Sequence, residues 1–175
     1  MTRARWTLVA AGLLSLAGVV CGQSPSLTPS VLLSPAMQAQ IDSTYGPAEA
    51  AVLQQMIRER VGMALSGARC GGTAQVEITL LDARPTHPTD RQLMDNPALD
   101  RLRTRFLGGA AFSVRLVDAA GRELKSLRYD WYAPDIRHVS RAAGPWGDAR
   151  LASEGLGSQL ARECRALAQA PPAAN

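Results

Sequence analysis

The chain has 175 residues, a formal net charge of +4 and 46% hydrophobic residues. A chain of this length suits one domain with a hydrophobic core of its own. The positive charge is too small and too dispersed to form the basic stripe of a nucleic-acid-binding protein, so we expect no nucleic-acid partner.

The first 22 residues have the layout of a secretory signal peptide. Arg3 and Arg5 precede an uncharged apolar run from Trp6 to Val20, and small and polar residues follow that run. The run is shorter than the roughly 20 residues that a membrane-spanning helix needs. We therefore expect a periplasmic or secreted protein with no membrane span in its mature form.

The three cysteines lead to two predictions, one about a lipid anchor and one about a disulfide bond. Cys21 would hold a lipid anchor if it directly followed a small-residue box, but two valines intervene, so a lipid-anchored form is the less favoured alternative to a soluble one. Cleavage after Gly22 leaves Cys70 and Cys164, an even number in an oxidising compartment. We predict one disulfide bond between them.

The first predicted elements of the mature chain are a strand and a long helix. Residues 23–46 are rich in serine and proline, and only the cluster Val31-Leu32-Leu33 predicts an element there, a short strand. The helix is predicted from Pro47 to about Ser66, because proline is favoured in a first turn and Glu49 lies at the positive end of the helix dipole. Apolar residues recur along this helix at spacings of three and four, which predicts one buried face: Leu53, Ile57, Val61 and Leu65.

Three later segments alternate between apolar and polar residues, which is the pattern of strands with one buried face. They cover residues 74–81, 110–118 and 122–132, and the turn residues 118–121 join the last two into a hairpin. The apolar set predicted to face the core is Val76, Ile78, Leu80, Phe112, Val114, Leu116, Leu127, Tyr129 and Trp131.

A second long helix is predicted to begin near Gly147, with Asp148 in its first turn and Cys164 on its apolar side. Gly155 and Gly157 fall inside this helix, where glycine is less favourable than alanine by about 1 kcal/mol. They indicate either close packing or a kink, and the sequence leaves both open. Residues 169–175 are predicted to be a disordered tail.

The element order predicts an α+β fold. The order is strand, helix, strand, short helix, strand, strand, helix, within a single domain of residues 47–168 that the short strand of residues 23–46 precedes. We expect a small antiparallel sheet of three to four strands, with the two long amphipathic helices packed on one of its faces.

The connection of residues 83–105 is long for neighbouring strands, since most connections have about 4 to 6 residues. Asn96-Pro97 has the pattern of a helix start, an N-cap side chain followed by proline, and predicts a short helix from Ala98 to Arg103. The remaining stretch, from Arg84 to Asp95, is predicted to be extended.

Both histidines of the chain lie in predicted loops, His87 in this connection and His138 after the hairpin. Together with Asp90 they form a candidate surface for a metal site or a histidine–carboxylate catalytic pair. The sequence has none of the short ligand spacings of known metal motifs, so we predict no metal and no cofactor. Histidines that are solvated or bonded to the backbone are the favoured interpretation.

A second candidate surface follows from the alternation in the hairpin. Arg128 and Tyr132 are predicted on the sheet face opposite the core, together with Arg115 and Ser113 on the preceding strand. If no other element covers that face, these residues form a polar, aromatic-bearing platform. Such a platform suits the binding of another envelope protein or of a glycan.

Six segments of the chain stand out: STYGPAEA, DARPTHPT, DNPALD, FLGGA, DAAGRELKS and PWGDARLA. With these segments the chain resembles a family of uncharacterised exported proteins of proteobacteria, and the resemblance covers about Val31 to Ala168. The resemblance implies residence in the periplasm or envelope, and it carries over no active-site residue.

The sequence has neither a nucleophile elbow nor a phosphate-binding loop. We therefore expect a non-catalytic binding or accessory module of the periplasm or envelope. The alternative is a periplasmic enzyme or metal-binding protein that uses His87, His138 and nearby aspartates.

Overall fold

The computed structural model describes residues 27–142 and 144–169. The predicted signal peptide, Cys21 and nearly all of the predicted tail lie outside the described residues.

Four strands form one sheet in the order β1-β2-β3-β4. Their bounds are Ser30–Leu33 for β1, Gln75–Arg84 for β2, Gly109–Val117 for β3 and Glu123–Tyr132 for β4. The prediction of an α+β fold with a small sheet is confirmed. The prediction that the sheet is antiparallel throughout is wrong, because β1 pairs parallel with β2 while the other two pairs are antiparallel. A parallel pair needs a long crossover, and the helices between β1 and β2 supply it.

Four helices accompany the sheet. Their bounds are Pro35–Gln40 for α1, Ala48–Leu65 for α2, Asp90–Asp95 for α3 and Gly147–Gln169 for α4, and a π-helical turn, Ile41–Tyr45, follows α1. The two long helices α2 and α4 begin within one residue of their predicted starts, so both predictions are confirmed.

Helix α1 was not predicted, although its start carries a recognisable signal. The Ser34 side chain accepts a hydrogen bond from the Met37 N–H, and Pro35 occupies the first helical turn. Met37 and Ile41 are fully buried. The serine- and proline-rich segment therefore contributes both a strand and a helix to the core of the domain.

The short helix of the long connection lies earlier than predicted. Thr89 and Gln92 form a capping box in which each side chain accepts a hydrogen bond from the other residue's backbone N–H, and α3 begins after Thr89. The prediction of a helix from Ala98 to Arg103 is wrong. There the Asp100 side chain accepts hydrogen bonds from two backbone N–H groups that follow it. Such local bonds favour turns over a continued helix.

The core lies between the sheet and the pair α2 and α4. Predicted core residues of β2 and β3 are buried, whereas Leu127, Tyr129 and Trp131 are only partly buried because β4 is an edge strand. At Gly157 of α4, an added Cβ would lie 2.7 Å from the Cβ of Ala64 in α2. The sequence left open whether the glycines of α4 indicate close packing or a kink. The contact at Gly157 indicates close packing between the two helices.

The predicted disulfide between Cys70 and Cys164 is confirmed. It joins the segment between α2 and β2 to the buried side of α4 and spans 94 residues of sequence. Cross-linking a loop of this length removes unfolded-chain entropy equivalent to about 4 to 5 kcal/mol of stability.

Candidate functional site

The sheet face opposite α2 and α4, here called the open face, brings together polar and charged side chains from β2, β3 and β4. Register and alternation place on it one residue in two from each strand. Its members include Leu32 of β1; Glu77, Thr79, Asp82 and Arg84 of β2; Ser113 and Arg115 of β3; and Ser126, Arg128, Asp130 and Tyr132 of β4.

One end of the open face holds a three-residue ion network. The Arg115 guanidinium contacts Glu123 at 2.8 Å and Glu77 at 3.0 Å, so it joins β3 to both neighbouring strands. The hydrogen bond to Glu123 raises the pKa of Arg115, and the same bond lowers the pKa of Glu123. Exposed pairs of this kind contribute little to stability. The network chiefly fixes where opposite charges lie on the surface.

The other end of the open face is built around Tyr132. Its hydroxyl donates a hydrogen bond to Asp82 over 2.6 Å, and the Arg84 guanidinium lies 4.8 Å from the centre of its ring. Burial, followed by the hydrogen bond to Asp82, raises the pKa of Tyr132. The ring can cross β3 because the residue there is Gly109, where a Cβ would collide with Tyr132. Tyr132 is therefore held in a fixed, half-buried position.

The pairing of Asp82 with Tyr132 was not predicted from the sequence. Continued alternation from Val76 and Leu80 would point Asp82 at the core. A register shift between Leu80 and Asp82 reverses that alternation and puts Asp82 on the open face. No pattern in the sequence signals this bulge.

Arg128 and Asp130 lie near the middle of β4 and are both exposed. Neither forms an ion pair with another of the residues that the structure describes. The outer strand thus presents one free cation and one free anion two positions apart on the same face.

His87 is buried in the wall of a small cavity, with 9% of its surface exposed. Its Nδ1 lies 3.0 Å from the Thr104 carbonyl oxygen, and because a carbonyl only accepts, Nδ1 must carry a hydrogen and donate. The cavity has a volume of about 240 Å³ and is lined by His87, Pro88, Arg101, Leu102, Gly144 and Pro145. This is smaller than the roughly 300 to 1,000 Å³ of a typical ligand pocket.

Asp90 lies beside the cavity of His87, whereas His138 lies elsewhere. Asp90 is exposed at the start of α3 and pairs with Arg101 of the cavity wall at 2.6 Å. His138 is exposed, and its Nδ1 lies 2.9 Å from an oxygen of Asp135. His138 does not line the cavity of His87. The histidine hypothesis thus finds its residues on different features of the surface.

Asp148 was predicted as a first-turn residue of α4, but its burial was not foreseen. One carboxylate oxygen accepts the Gly108 N–H at 3.1 Å and the other accepts the Ser140 N–H at 2.7 Å. The Asp148 N–H donates to the Thr86 hydroxyl. These three hydrogen bonds hold three loops together at the start of α4.

No group of three or more His, Cys, Asp or Glu side chains lies close enough together to hold a metal ion within residues 27–142 and 144–169. Within the same ranges, none of the helices has the length and apolar character needed to cross a membrane.

Comparison with known proteins gives no relative. No family model, no curated protein and no solved structure matches the chain. The function of the chain is therefore inferred from the geometry of the open face and of the His87 cavity.

Proposed function

We propose that this chain is an exported, non-catalytic module that binds another protein of the cell envelope through the open face. The observation that carries this proposal is the exposure of the face itself. Arg115, Arg128 and Asp130 are exposed there, and the long helices both lie on the opposite side of the sheet. Leu32, which is 63% exposed, adds an apolar contact point beside these charges. Protein interfaces combine such apolar points with a charged rim.

A protein partner fits the face better than a glycan does. Sugar recognition by aromatic residues needs an exposed ring face. Tyr132 is half-buried, its hydroxyl is engaged by Asp82, and Arg84 occupies one side of its ring. The mixture of fixed positive and negative groups suits a partner surface with complementary charges.

Two observations support export. The N-terminal sequence has the layout of a signal peptide, and the Cys70–Cys164 disulfide is of the kind that persists in oxidising compartments. The mass of the protein isolated from its own cells tests this point. A chain that begins at Gln23 and is two hydrogens lighter than its reduced form would agree with export, whereas an uncleaved chain with free thiols would contradict it.

The alternative, an enzyme or metal-binding protein that uses His87 and His138, has one supporting observation, the cavity beside His87. That cavity is small, and His138 lies on a different loop with its own partner, Asp135. The open face therefore gives the better-supported proposal.

Site-specific cross-linking tests the binding proposal. A photoreactive amino acid is placed at Thr79 or Ser113, in the two central strands of the open face, and at Gln55, an exposed residue of α2, as the matched control. We expect a discrete cross-linked envelope protein from the two sheet positions and not from Gln55. Equal products from all three positions, or none from the sheet, would refute the proposal.

A His87→Ala, His138→Ala double variant separates the two functions. The binding proposal expects its cross-links to match those of the unaltered protein. Stoichiometric metal bound by the unaltered protein and lost from the double variant would favour the alternative.

A further inference from the structure

The outer edge of β4 is a long strand edge with a defined hydrogen-bonding pattern. β4 has ten residues and stands last in the strand order, so its outer side has no neighbouring strand among the described residues. The Ala133 N–H donates to the Gly108 carbonyl at 2.9 Å, which fixes the alternation along the pair. The backbone groups of Leu127, Tyr129 and Trp131 therefore point toward β3.

The alternate residues point their backbone N–H and C=O groups outward: Ser126, Arg128, Asp130 and Tyr132. An open row of such groups is a template for another strand. Proteins that avoid such pairing shorten the edge strand, bend it with bulges, interrupt it with proline or place charged side chains along it. β4 has no proline, and its register with β3 is regular from Tyr132 to Lys125. The charges among its outward-bonding residues, Arg128 and Asp130, have opposite signs and can therefore attract a second strand as well as repel one.

We infer that β4 pairs antiparallel with β4 of a second copy of this chain, about a twofold axis at Tyr129. In this register Arg128 lies opposite Asp130 of the second copy, and Asp130 lies opposite its Arg128. Both are residues whose backbone groups point outward, so the facing pairs are hydrogen-bonded pairs. Arg128 and Asp130 have no ion-pair partner within the described residues. In this register they form two ion pairs across the edge, one on each side of the axis.

Charge complementarity selects this register over its neighbours. Only alternate residues of β4 point their backbone groups outward. The two strands can therefore shift against each other only by two residues at a time. One such shift places Arg128 opposite Arg128, and the shift in the other direction places Asp130 opposite Asp130. Like charges directly opposite each other on a sheet are unfavourable. Of these three arrangements, only the one centred on Tyr129 avoids a like-charge pair, and it alone places Arg128 opposite Asp130.

The side chains of β4 that face the core also fit this register. Leu127 lies opposite Trp131 of the second copy, and the two Tyr129 side chains face each other across the axis. All three residues are only partly buried in the single chain. Aromatic and aliphatic cross-strand pairs are favourable, and pairing would cover surface that the edge position leaves exposed.

The result is a continuous eight-stranded sheet with both open faces on one side. This inference goes beyond the proposed function, although both use Arg128 and Asp130 of the open face. The two proposals can fail separately because their readouts differ. The readout of the pairing is the mass of the purified protein, whereas the readout of the binding proposal is a cross-link from Thr79 or Ser113.

Sedimentation equilibrium of the purified protein over two decades of concentration tests the inference. We expect the unaltered protein to form a dimer, and Arg128→Asp to raise the dimer dissociation constant about tenfold or more, because it places two acidic pairs across the axis. The charge-swapped double variant, Arg128→Asp with Asp130→Arg, restores the complementary pairs and is expected to restore the dimer. Arg58→Asp, on the exposed side of α2, is the matched control and leaves the dimer unchanged.

Each other outcome overturns the inference. A monomeric unaltered protein refutes the pairing, and so does a dimer that Arg128→Asp leaves intact. A dimer that the single change weakens and the charge swap fails to restore refutes the register centred on Tyr129. Circular dichroism of each variant identifies any loss of folding before its mass is interpreted.

Discussion

The buried carboxylate of Asp148 accepts a hydrogen bond from the backbone N–H of Gly108, 40 residues earlier in the chain. Gly108 lies directly before β3, and Asp148 lies in the first turn of α4. The contact therefore fixes the start of the last helix against the sheet. An added Cβ at Gly108 would lie 2.8 Å from the same carboxylate oxygen, so the close approach depends on glycine.

Asp148→Asn is expected to lower the free energy of unfolding by about 1 to 3 kcal/mol, because one acceptor oxygen becomes a donor that faces a buried backbone N–H. Urea unfolding measures the change. Asp42→Asn, on an exposed turn, is the control and is expected to change stability by less than about 0.5 kcal/mol. Equal stability of the two variants would contradict the anchoring role of Asp148.

Gly157→Ala is expected to destabilise the protein by about 1 to 3 kcal/mol, since the added methyl group overlaps Ala64 of α2. Without this overlap, alanine would be more favourable than glycine in the helix interior by about 1 kcal/mol. At Gly67, just after α2, a Cβ meets nothing within 4 Å. Gly67→Ala is therefore the matched control and is expected to be neutral or slightly stabilising. A higher melting temperature for Gly157→Ala than for Gly67→Ala would refute close packing of α2 on α4.

Alkaline pH is expected to weaken the fold through its tyrosines. Burial is the first cause that raises the pKa of all three, Tyr45, Tyr129 and Tyr132, above the ordinary value of 10.0. The folded state therefore keeps these protons at pH values where the unfolded chain has lost them. Stability should be unaffected by the tyrosines below about pH 10 and should fall as pH rises above it.

Ultraviolet titration of the folded and urea-unfolded protein checks this expectation. The folded tyrosines should ionise at higher pH than the unfolded ones, and Tyr132→Phe should reduce the alkaline loss of stability. Identical titration curves in the two states would show that the rings are solvated in the folded protein.

Replacing both cysteines of the disulfide by alanine is expected to lower the free energy of unfolding by about 4 to 5 kcal/mol, the entropy that a loop of this length recovers in the unfolded chain. Chemical unfolding of the double variant, beside the unaltered protein with and without reductant, gives the value. A loss below about 1 kcal/mol would mean that the unfolded chain keeps the two segments together without the bond.

Local patterns were sufficient for the elements whose burial repeats along the chain. The spacing of Leu53, Ile57 and Val61 predicted the buried face of α2, and strict alternation predicted the hairpin of β3 and β4. The same alternation assigned Arg128 and Tyr132 to one face of the sheet. These predictions succeed because a periodic side-chain pattern reports directly which side of a helix or strand is buried.

The positions of the short helices depended on competition between neighbouring helix-start patterns. Asn96-Pro97 and Thr89-Asp90-Arg91-Gln92 both have the pattern of a helix start. The reciprocal bonds of the capping box select the second, while Asp100 holds the following residues in turns. Likewise, Ser34-Pro35 begins a helix that a serine- and proline-rich composition obscured.

The sequence by itself determined the α+β class, the two long helices, the hairpin and the disulfide partners, because each follows from local periodicity or from the number of cysteines. The tertiary structure decided the parallel pairing of β1, the burial of His87 and Asp148, and the meeting of Tyr132 with Asp82. These features join groups that lie tens of residues apart, and Asp82 reaches its partner only through a bulge. Contacts of that kind are set by how the elements pack, which no local pattern of residues records.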